Sequence, residues 1–270
     1  MNLLELLALN LLVTLVFMTA LWSVSVILRD VSIVDVFWGP GFVVISALTF
    51  FLTTYESPRK YLLLGLTAVW GLRLAVHLGV RKFGSPEDYR YQAMRAAIGP
   101  RFWIVSLGIV FLLQGLIMNI IALPIVVGQL DDAPLGWLDA IGTMIWSGGF
   151  LFEAVGDWQL ANFKADPRNA GKVMDRGLWR YTRHPNYFGD FAVWWGLYFV
   201  ALGAGGTWWT MLSPLLMSFL LLRVSGVTLL EHSLRESKPD YADYVARTSA
   251  FFPWPARKVK SLDRSQGDCQ

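Results

Sequence analysis

The sequence predicts an all-α fold: a polytopic membrane helix bundle of about seven transmembrane helices, ending in a cytoplasmic amphipathic segment. Three observations predict it. Apolar residues make up 55% of the 270-residue chain and the mean hydropathy is +0.46, beyond an ordinary soluble domain. Several stretches reach the roughly 20 apolar residues that a bilayer-spanning helix needs. Lys and Arg gather in alternate connections, the charge pattern of a chain that crosses a membrane repeatedly.

Leu3 to Leu28 is the first span. It lacks a basic start and a small-residue cleavage site, so it reads as a retained helix rather than a signal peptide. Arg29-Asp30 breaks it, and Ile33 to Thr54 follows as the second span, with Asp35 near its start and Trp38-Gly-Pro-Gly41 in its first turns. Tyr61 to Val80 is the third and carries Arg73 and His77. A polar segment, Arg81 to Arg101, precedes the fourth span, Phe102 to Val127. After the turn Asp131-Asp-Ala-Pro134 comes the fifth, Leu135 to about Ala161, with Glu153 and Asp157 near its far end. Tyr187 to Ala204 and Trp208 to Arg223 are the sixth and seventh. Their connection, Gly203-Ala-Gly-Gly206, lies at a turn and makes no dimer face. No internal repeat is visible.

Arg81, Lys82, Arg90, Arg95 and Arg101 crowd one connection, and Lys164, Arg168, Lys172, Arg176, Arg180 and Arg183 crowd another. Arg257, Lys258 and Lys260 close the chain. The positive-inside rule puts these in the cytoplasm and, counted back through seven spans, the N-terminus outside, as expected of a bacterial inner-membrane protein. Arg59 and Lys60 then fall on the outer side, against the rule. The net charge of +3 reflects these flanks, and no zinc-finger or basic-helix pattern points to nucleic acid. The single cysteine, Cys269, excludes an intramolecular disulfide and a thiolate metal cluster.

The chemistry concentrates in Arg176-Gly-Leu-Trp-Arg-Tyr-Thr-Arg-His-Pro-Asn-Tyr-Phe-Gly-Asp190, a basic, aromatic hinge between apolar stretches. Arg176, Arg180 and Arg183 carry donor forks that suit phosphate. Pro185 suits the first turn of a helix, and His184 before it is biased to an extended backbone. A helix starting there turns its positive N-terminus toward the basic loop, a place for an anion. Asn186 and Asp190, four apart, share a face, with Tyr187 beside them. The plain alternative is a topology-setting cationic loop. Glu153 and Asp157 share a helical face and need a cation, a proton or a polar ligand between them; Arg223 is one candidate. They also read as an interfacial pair that locks helices, as do Arg73 and His77. Asp35 reads either as a functional carboxyl or as a snorkelling one. Tyr241 and Tyr244, three apart in the tail, offer aromatic surface with a hydroxyl, either to stack on a ring or to anchor the tail at the membrane interface.

Two constellations, Arg183-His-Pro-Asn-Tyr-Phe-Gly-Asp190 and Glu231…Tyr241…Tyr244…Phe251…Pro253, resemble the steroid 5-alpha-reductase-like superfamily of membrane enzymes, most closely its bacterial branch. Asp35-Val-Phe-Trp-Gly39, Trp70-Gly-Leu-Arg73, Glu87-Asp-Tyr-Arg-Tyr91 and Ser225-Gly226 extend the likeness from about Ile33 to Pro255. The resemblance implies one transmembrane reductase-like domain over residues 1–255, with 1–130 the substrate half, 131–255 the cofactor half and 256–270 a polar tail. It implies NADPH as cofactor. Asn186 and Asp190 match the nicotinamide-end pair, Asp157 a polar position on the preceding helix and Arg223 a basic residue after the last span. Arg183, Lys164 and Arg180 fit a pyrophosphate or 2′-phosphate by charge, and His184, Tyr187, Tyr241 and Tyr244 complete the cofactor set.

The steroid enzymes polarise an enone carbonyl with a Glu in span two and a Tyr in span three. This chain has Asp35, slightly out of register, with Arg73 and His77 in span three and no Tyr at the matching place. The implied activity is therefore reduction of an activated C=C in a steroid- or isoprenoid-like lipidic molecule drawn from the membrane. In it, protonated Asp35, or cationic Arg73 or His77, stabilises the enolate oxygen. Isoprenylcysteine and phospholipid methyltransferases share the Arg-His-Pro piece, so an S-adenosylmethionine-dependent methyltransferase is the alternative. Its relatives follow the hinge with an acidic pair where this chain has Glu231-His232. A non-enzymatic lipid-binding protein is the third reading.

Overall fold

A computed structural model describes residues 1–224 and 241–257. Ser225-Gly226, Glu231-His232, Lys258, Lys260, Cys269 and the expected amphipathic start of the tail lie outside the described residues. The regular elements among those described are helical. They form two compact units, residues 1–147 with 193–217, and residues 148–192 with 218–224 and 241–257.

In the first unit α1 (Leu3–Leu28) opens on a reciprocal cap. The Asn2 side chain accepts the Glu5 N–H at 2.9 Å, and Glu5 takes back the Asn2 N–H at 3.1 Å. The helix stops where Arg29 turns left-handed at φ 55°. The expected second span is split: α2 (Ile33–Val36) ends at Phe37, and α3 (Trp38–Leu52) carries the apolar part alone. Asp35 therefore belongs to a separate short turn. The third span appears as α4 (Pro58–Lys82), with Pro58 in its first turn, where a missing N–H costs nothing.

The polar segment before the fourth span is itself helical in part. It forms α5 (Tyr89–Ile98), which leads through a tight turn into α6 (Phe102–Ser106) and, past a π-type turn at Leu107–Leu112, into α7 (Leu113–Ile121) and α8 (Leu123–Val127). Among the described residues three helical runs are long and apolar enough to cross a membrane: Leu3–Leu28, Pro58–Lys82 and Tyr89–Ile121. Trp38–Leu52 and Trp208–Val224 are shorter apolar helices. The remaining long helices, α9 (Trp137–Ala165) and α10 (Pro185–Leu202), start in different units and each contributes to both. After α10 the chain continues in α11 (Leu212–Phe219), and the described part of the tail holds α12 (Tyr241–Arg247).

Helix association in lipid rests on close packing rather than on apolar burial, and small residues permit it. A Cβ on Gly71 of α4 would stand 2.6 Å from the Gly39 carbonyl of α3. Beside that crossing Phe42, Trp70 and Trp194 pack edge-on or tilted into one buried cluster, with ring centroids 4.6 to 5.8 Å apart. Thus Asp35-Val-Phe-Trp-Gly39 and Trp70-Gly71 build one helix crossing between them. α9 and α10 use glycine more systematically. Gly142, Gly149 and Gly156 on one helix, and Gly189, Gly196 and Gly203 on or just past the other, fall at seven-residue intervals. A Cβ on Gly196 would meet the Trp146 N–H at 2.6 Å, and one on Gly189 the Gly149 carbonyl at 2.5 Å.

Arg59 and Lys60, which break the charge rule, are both buried and both compensated. Arg59 is fully buried and grips Asp139 at the start of α9 with both arms of its fork, Nε to Oδ1 at 2.8 Å and NH2 to Oδ2 at 3.0 Å. The Pro134 carbonyl takes a further bond at 3.2 Å, and Asp131 lies 3.6 Å away. Lys60 reaches Glu56 at 3.0 Å and sits over the Phe50 ring. Neither residue presents a free positive charge to a topology rule.

Candidate functional site

In the first unit a polar network ties the 29–35 connection to the 82–95 segment. Asp30 pairs with Lys82 at 2.6 Å, Glu87 accepts the Val31 N–H at 2.8 Å, and Arg95 clasps the same Glu87 at 2.8 and 3.0 Å. At its centre Asp35 accepts two bonds, from the Arg90 guanidinium at 2.8 Å and from the Tyr91 hydroxyl at 2.8 Å. Arg90 also holds Asp88, the cap of α5, at 2.8 Å. Burial works to raise the Asp88 carboxyl, but the bonds from Arg90 outweigh it and leave it below its ordinary value.

The direction of each bond is fixed by what the groups can do. Trp38 Nε1 can only donate, so it orients the Gln114 amide by its oxygen. The Gln114 N–H then faces the Tyr91 oxygen at 3.4 Å, and the Tyr91 proton points to Asp35. The chain of donors ends on Asp35, whose two carboxyl oxygens each accept a bond in this arrangement. The tyrosine partner of Asp35 comes from the start of the next helix, α5. Its signal was the Glu87-Asp-Tyr-Arg-Tyr91 stretch, but no spacing in the sequence links that stretch to Asp35. Arg73 and His77 are half-buried, one turn apart on α4.

In the second unit the hinge and the tail close on each other. Pro185 is the first residue of α10, as expected, and His184 stacks on Tyr187 with centroids 5.6 Å apart. Arg183 and His184 are buried. The Asn186 amide donates to the Asp157 carboxylate on α9 at 3.1 Å, joining one residue of the expected nicotinamide-end pair to the polar position expected on the preceding helix. Asp190, a turn along α10, is half-buried. Glu153 and Asp157 are buried too, but Arg223 is exposed, and among the described residues no ion pair joins it to either.

The tail docks through main-chain bonds. Arg183 N–H donates to the Ser249 carbonyl at 3.0 Å, Thr182 Oγ1 to that of Phe251 at 2.7 Å, and Trp254 N–H to that of Tyr181 at 2.9 Å. Tyr241 and Tyr244 are buried with rings 5.9 Å apart, and the Tyr244 hydroxyl donates to the Trp179 carbonyl at 2.5 Å. Burial pushes the Tyr244 phenol above its ordinary value. The Tyr244 hydroxyl thus braces the hinge. Lys164 and Arg180 are exposed. Arg180, with Arg176, Arg247 and Arg257, lines a cavity of about 550 Å³ in which Asp175 supplies the one carboxylate. Arg176 was among the residues expected to suit phosphate, whereas Arg247 and Arg257 were not. Only the fold of the tail brings the last two to the hinge.

No solved structure matches the chain. An uncharacterized protein of Schizosaccharomyces pombe is 26% identical over 280 aligned residues, covering 90% of this chain and 78% of that protein. The family described as "Protein of unknown function (DUF1295)" matches residues 21–248, which hold the Asp35 network, the hinge and α12. The chain belongs to the DUF1295 family.

Proposed function

We propose that the protein is a membrane-embedded, NADPH-dependent oxidoreductase that reduces an activated C=C bond of a steroid- or isoprenoid-like lipid by hydride transfer. The reading extends the resemblance to steroid 5-alpha-reductase-like enzymes. It includes seven spans, an outer N-terminus and a cytoplasmic C-terminus in a bacterial inner membrane. The observation that carries it is the bond between Asn186 and Asp157, made across two helices. Among the described residues no other bond engages the Asn186 amide, so its carbonyl oxygen and second N–H can meet a carboxamide. The residues around it suit a pyridine nucleotide: a buried Arg183 and His184 at the head of α10, where a helix N-terminus favours an anion, and acids at Asp157 and Asp190.

NADPH, when bound, supplies the hydride. The chain's own share is to hold the nucleotide at the hinge and to polarise the substrate. Arg183 and Lys164 offer charge to its phosphates. In the other unit the Tyr91 hydroxyl rests with its proton on Asp35 and its oxygen facing the Gln114 amide; it is proposed to turn that proton from Asp35 to the carbonyl oxygen of a conjugated substrate as negative charge develops there.

Equilibrium binding of NADPH, NADH and S-adenosylmethionine to the detergent-purified full chain tests this, with Asn186→Ala and Arg183→Ala as controls. Energy transfer from the 13 tryptophans to a bound reduced nicotinamide gives the signal. Binding of NADPH, weakened about tenfold or more by either substitution, is expected, since a lost bond to a charged group is worth about 1.5–3 kcal/mol. Binding of S-adenosylmethionine alone would make the protein a methyltransferase. Binding of none of the three by folded protein would end the enzymatic reading.

A further inference from the structure

We infer that the arginine-lined cavity of the second unit binds the phosphate of an acidic phospholipid headgroup and so fastens this face at the membrane–water interface. The cavity takes its walls from two stretches of chain, the hinge at Asp175, Arg176 and Arg180, and the tail at Arg247, Thr248 and Arg257. Four guanidinium groups against one carboxylate leave a surplus of three positive charges around it. Asp175 is spent on Arg247, at 2.6 Å, and among the described residues no carboxylate pairs with Arg176, Arg180 or Arg257. Like charges held around one cavity repel, so the arrangement gains from an anion placed among them. A guanidinium fork matches the oxygens of a phosphate group.

The fold holds this cluster in place. The hinge and tail are stitched by the bonds of Arg183, Thr182 and Trp254 described above, and the Arg257 N–H donates to the Arg247 carbonyl at 2.9 Å. The volume, about 550 Å³, falls among those of ordinary small-ligand sites, roughly 300–1,000 Å³.

The surroundings favour a lipid over a soluble phosphate ester. Tyr181 is 44% exposed, Phe252 60% and Trp254 70%, all on the two stretches that carry the arginines. Exposed aromatic rings beside cationic groups mark the headgroup level of membrane proteins. Basic clusters at that level attract anionic headgroups.

The test uses the full chain in a neutral detergent, with dioctanoyl phosphatidylglycerol and dioctanoyl phosphatidylcholine as probes and binding read by native mass spectrometry. Tighter retention of the glycerol lipid, by about tenfold or more, is expected. The Arg176→Gln/Arg257→Gln variant should lose about fivefold per arginine, as expected for a basic residue beside an anionic lipid. Should that variant not fold, Arg180→Gln read against the same two lipids takes its place. Equal retention of both lipids, or a preference that survives the substitutions, overturns the proposal. Displacement of the glycerol lipid by pyrophosphate or NADPH at comparable concentration also overturns it, and assigns the cavity to a soluble phosphate ester. NADPH binding that survives alongside bound lipid keeps the two sites separate.

Discussion

Arg59 and the arginines of the hinge cavity are the same residue in opposite electrostatic settings. Arg59 is 0% exposed, and Asp139, two carbonyl groups and the nearby Asp131 take up its fork. Arg176, Arg180, Arg247 and Arg257 are exposed and share one carboxylate. The first arrangement has no capacity left for a ligand and serves the fold. The second is poorly neutralised by the protein itself, which is the property of a binding surface. What separates structural from ligand-facing cations is therefore the balance of acceptors around them rather than the charge in the sequence.

The sharpest way to break this comparison is at Asp139. Asp139→Ala leaves the Arg59 cation buried without its main partner, and should destabilise the protein by about 3–5 kcal/mol. Replacing the pair together, Arg59→Met with Asp139→Leu, should restore stability to near the starting value, because no uncompensated charge then remains. By contrast Asp175→Asn, beside the exposed Arg247, should change stability by about 0–1 kcal/mol. Denaturant unfolding in detergent, followed by tryptophan fluorescence, measures all three. A double replacement as damaging as Asp139→Ala would show that the fork, and not the charge balance, holds that connection.

Asp35 stands between the two cases, with Arg90 and Asp35 both partly exposed at 32% and 26% of their side-chain surface. Tyr91→Phe removes one hydrogen bond to a charged acceptor and should lower stability by about 1.5–3 kcal/mol. Under the proposed function both Tyr91→Phe and Asp35→Asn lower turnover of a lipidic enone far more than they lower NADPH affinity. A purely structural network would reduce the two together, and that result would remove Tyr91 and Asp35 from the chemistry.

The limits of the sequence follow from the same distinction. Apolar runs state their own extent, so the third span, expected at 61–80, returns as Pro58–Lys82, and the helix expected from Pro185 starts at Pro185. Local rules set those features. The split of the second span at Phe37 and the π-type turn at Leu107–Leu112 left no comparable mark, since neither interrupts the apolar composition. The partners of Asp35 lie 55 and 56 residues away, and that of Arg59 lies 80 away, distances over which no periodicity speaks. The glycines of α9 and α10 are a different omission. Their seven-residue spacing was legible in the chain, but it gained meaning only when the Gly142–Gly196 and Gly149–Gly189 contacts showed which helices it joined.

The smallest expected effect lies at Asp30, which ties the end of α1 to Lys82. Burial works to raise this carboxyl, but the bonds from Lys82 and Ser32 outweigh it, and it rests below its ordinary value. A carboxyl lowered by folding stabilises the folded state fully above its unfolded value, near 3.9 for Asp. That contribution fades as pH falls through this value toward the lowered one. Acid should therefore loosen the 29–35 connection first through Asp30, and Asp30→Asn should remove this part of the pH dependence while costing little at neutral pH. Because the pair is partly exposed, the effect is bounded by the ~0–1 kcal/mol of a surface ion pair. Unfolding of the two proteins compared at pH 7 and at about pH 4, near the unfolded Asp value, measures it. A gap between them that widened in acid would place the sensitivity elsewhere, with Asp88 and its bonds to Arg90 the next carboxyl to substitute.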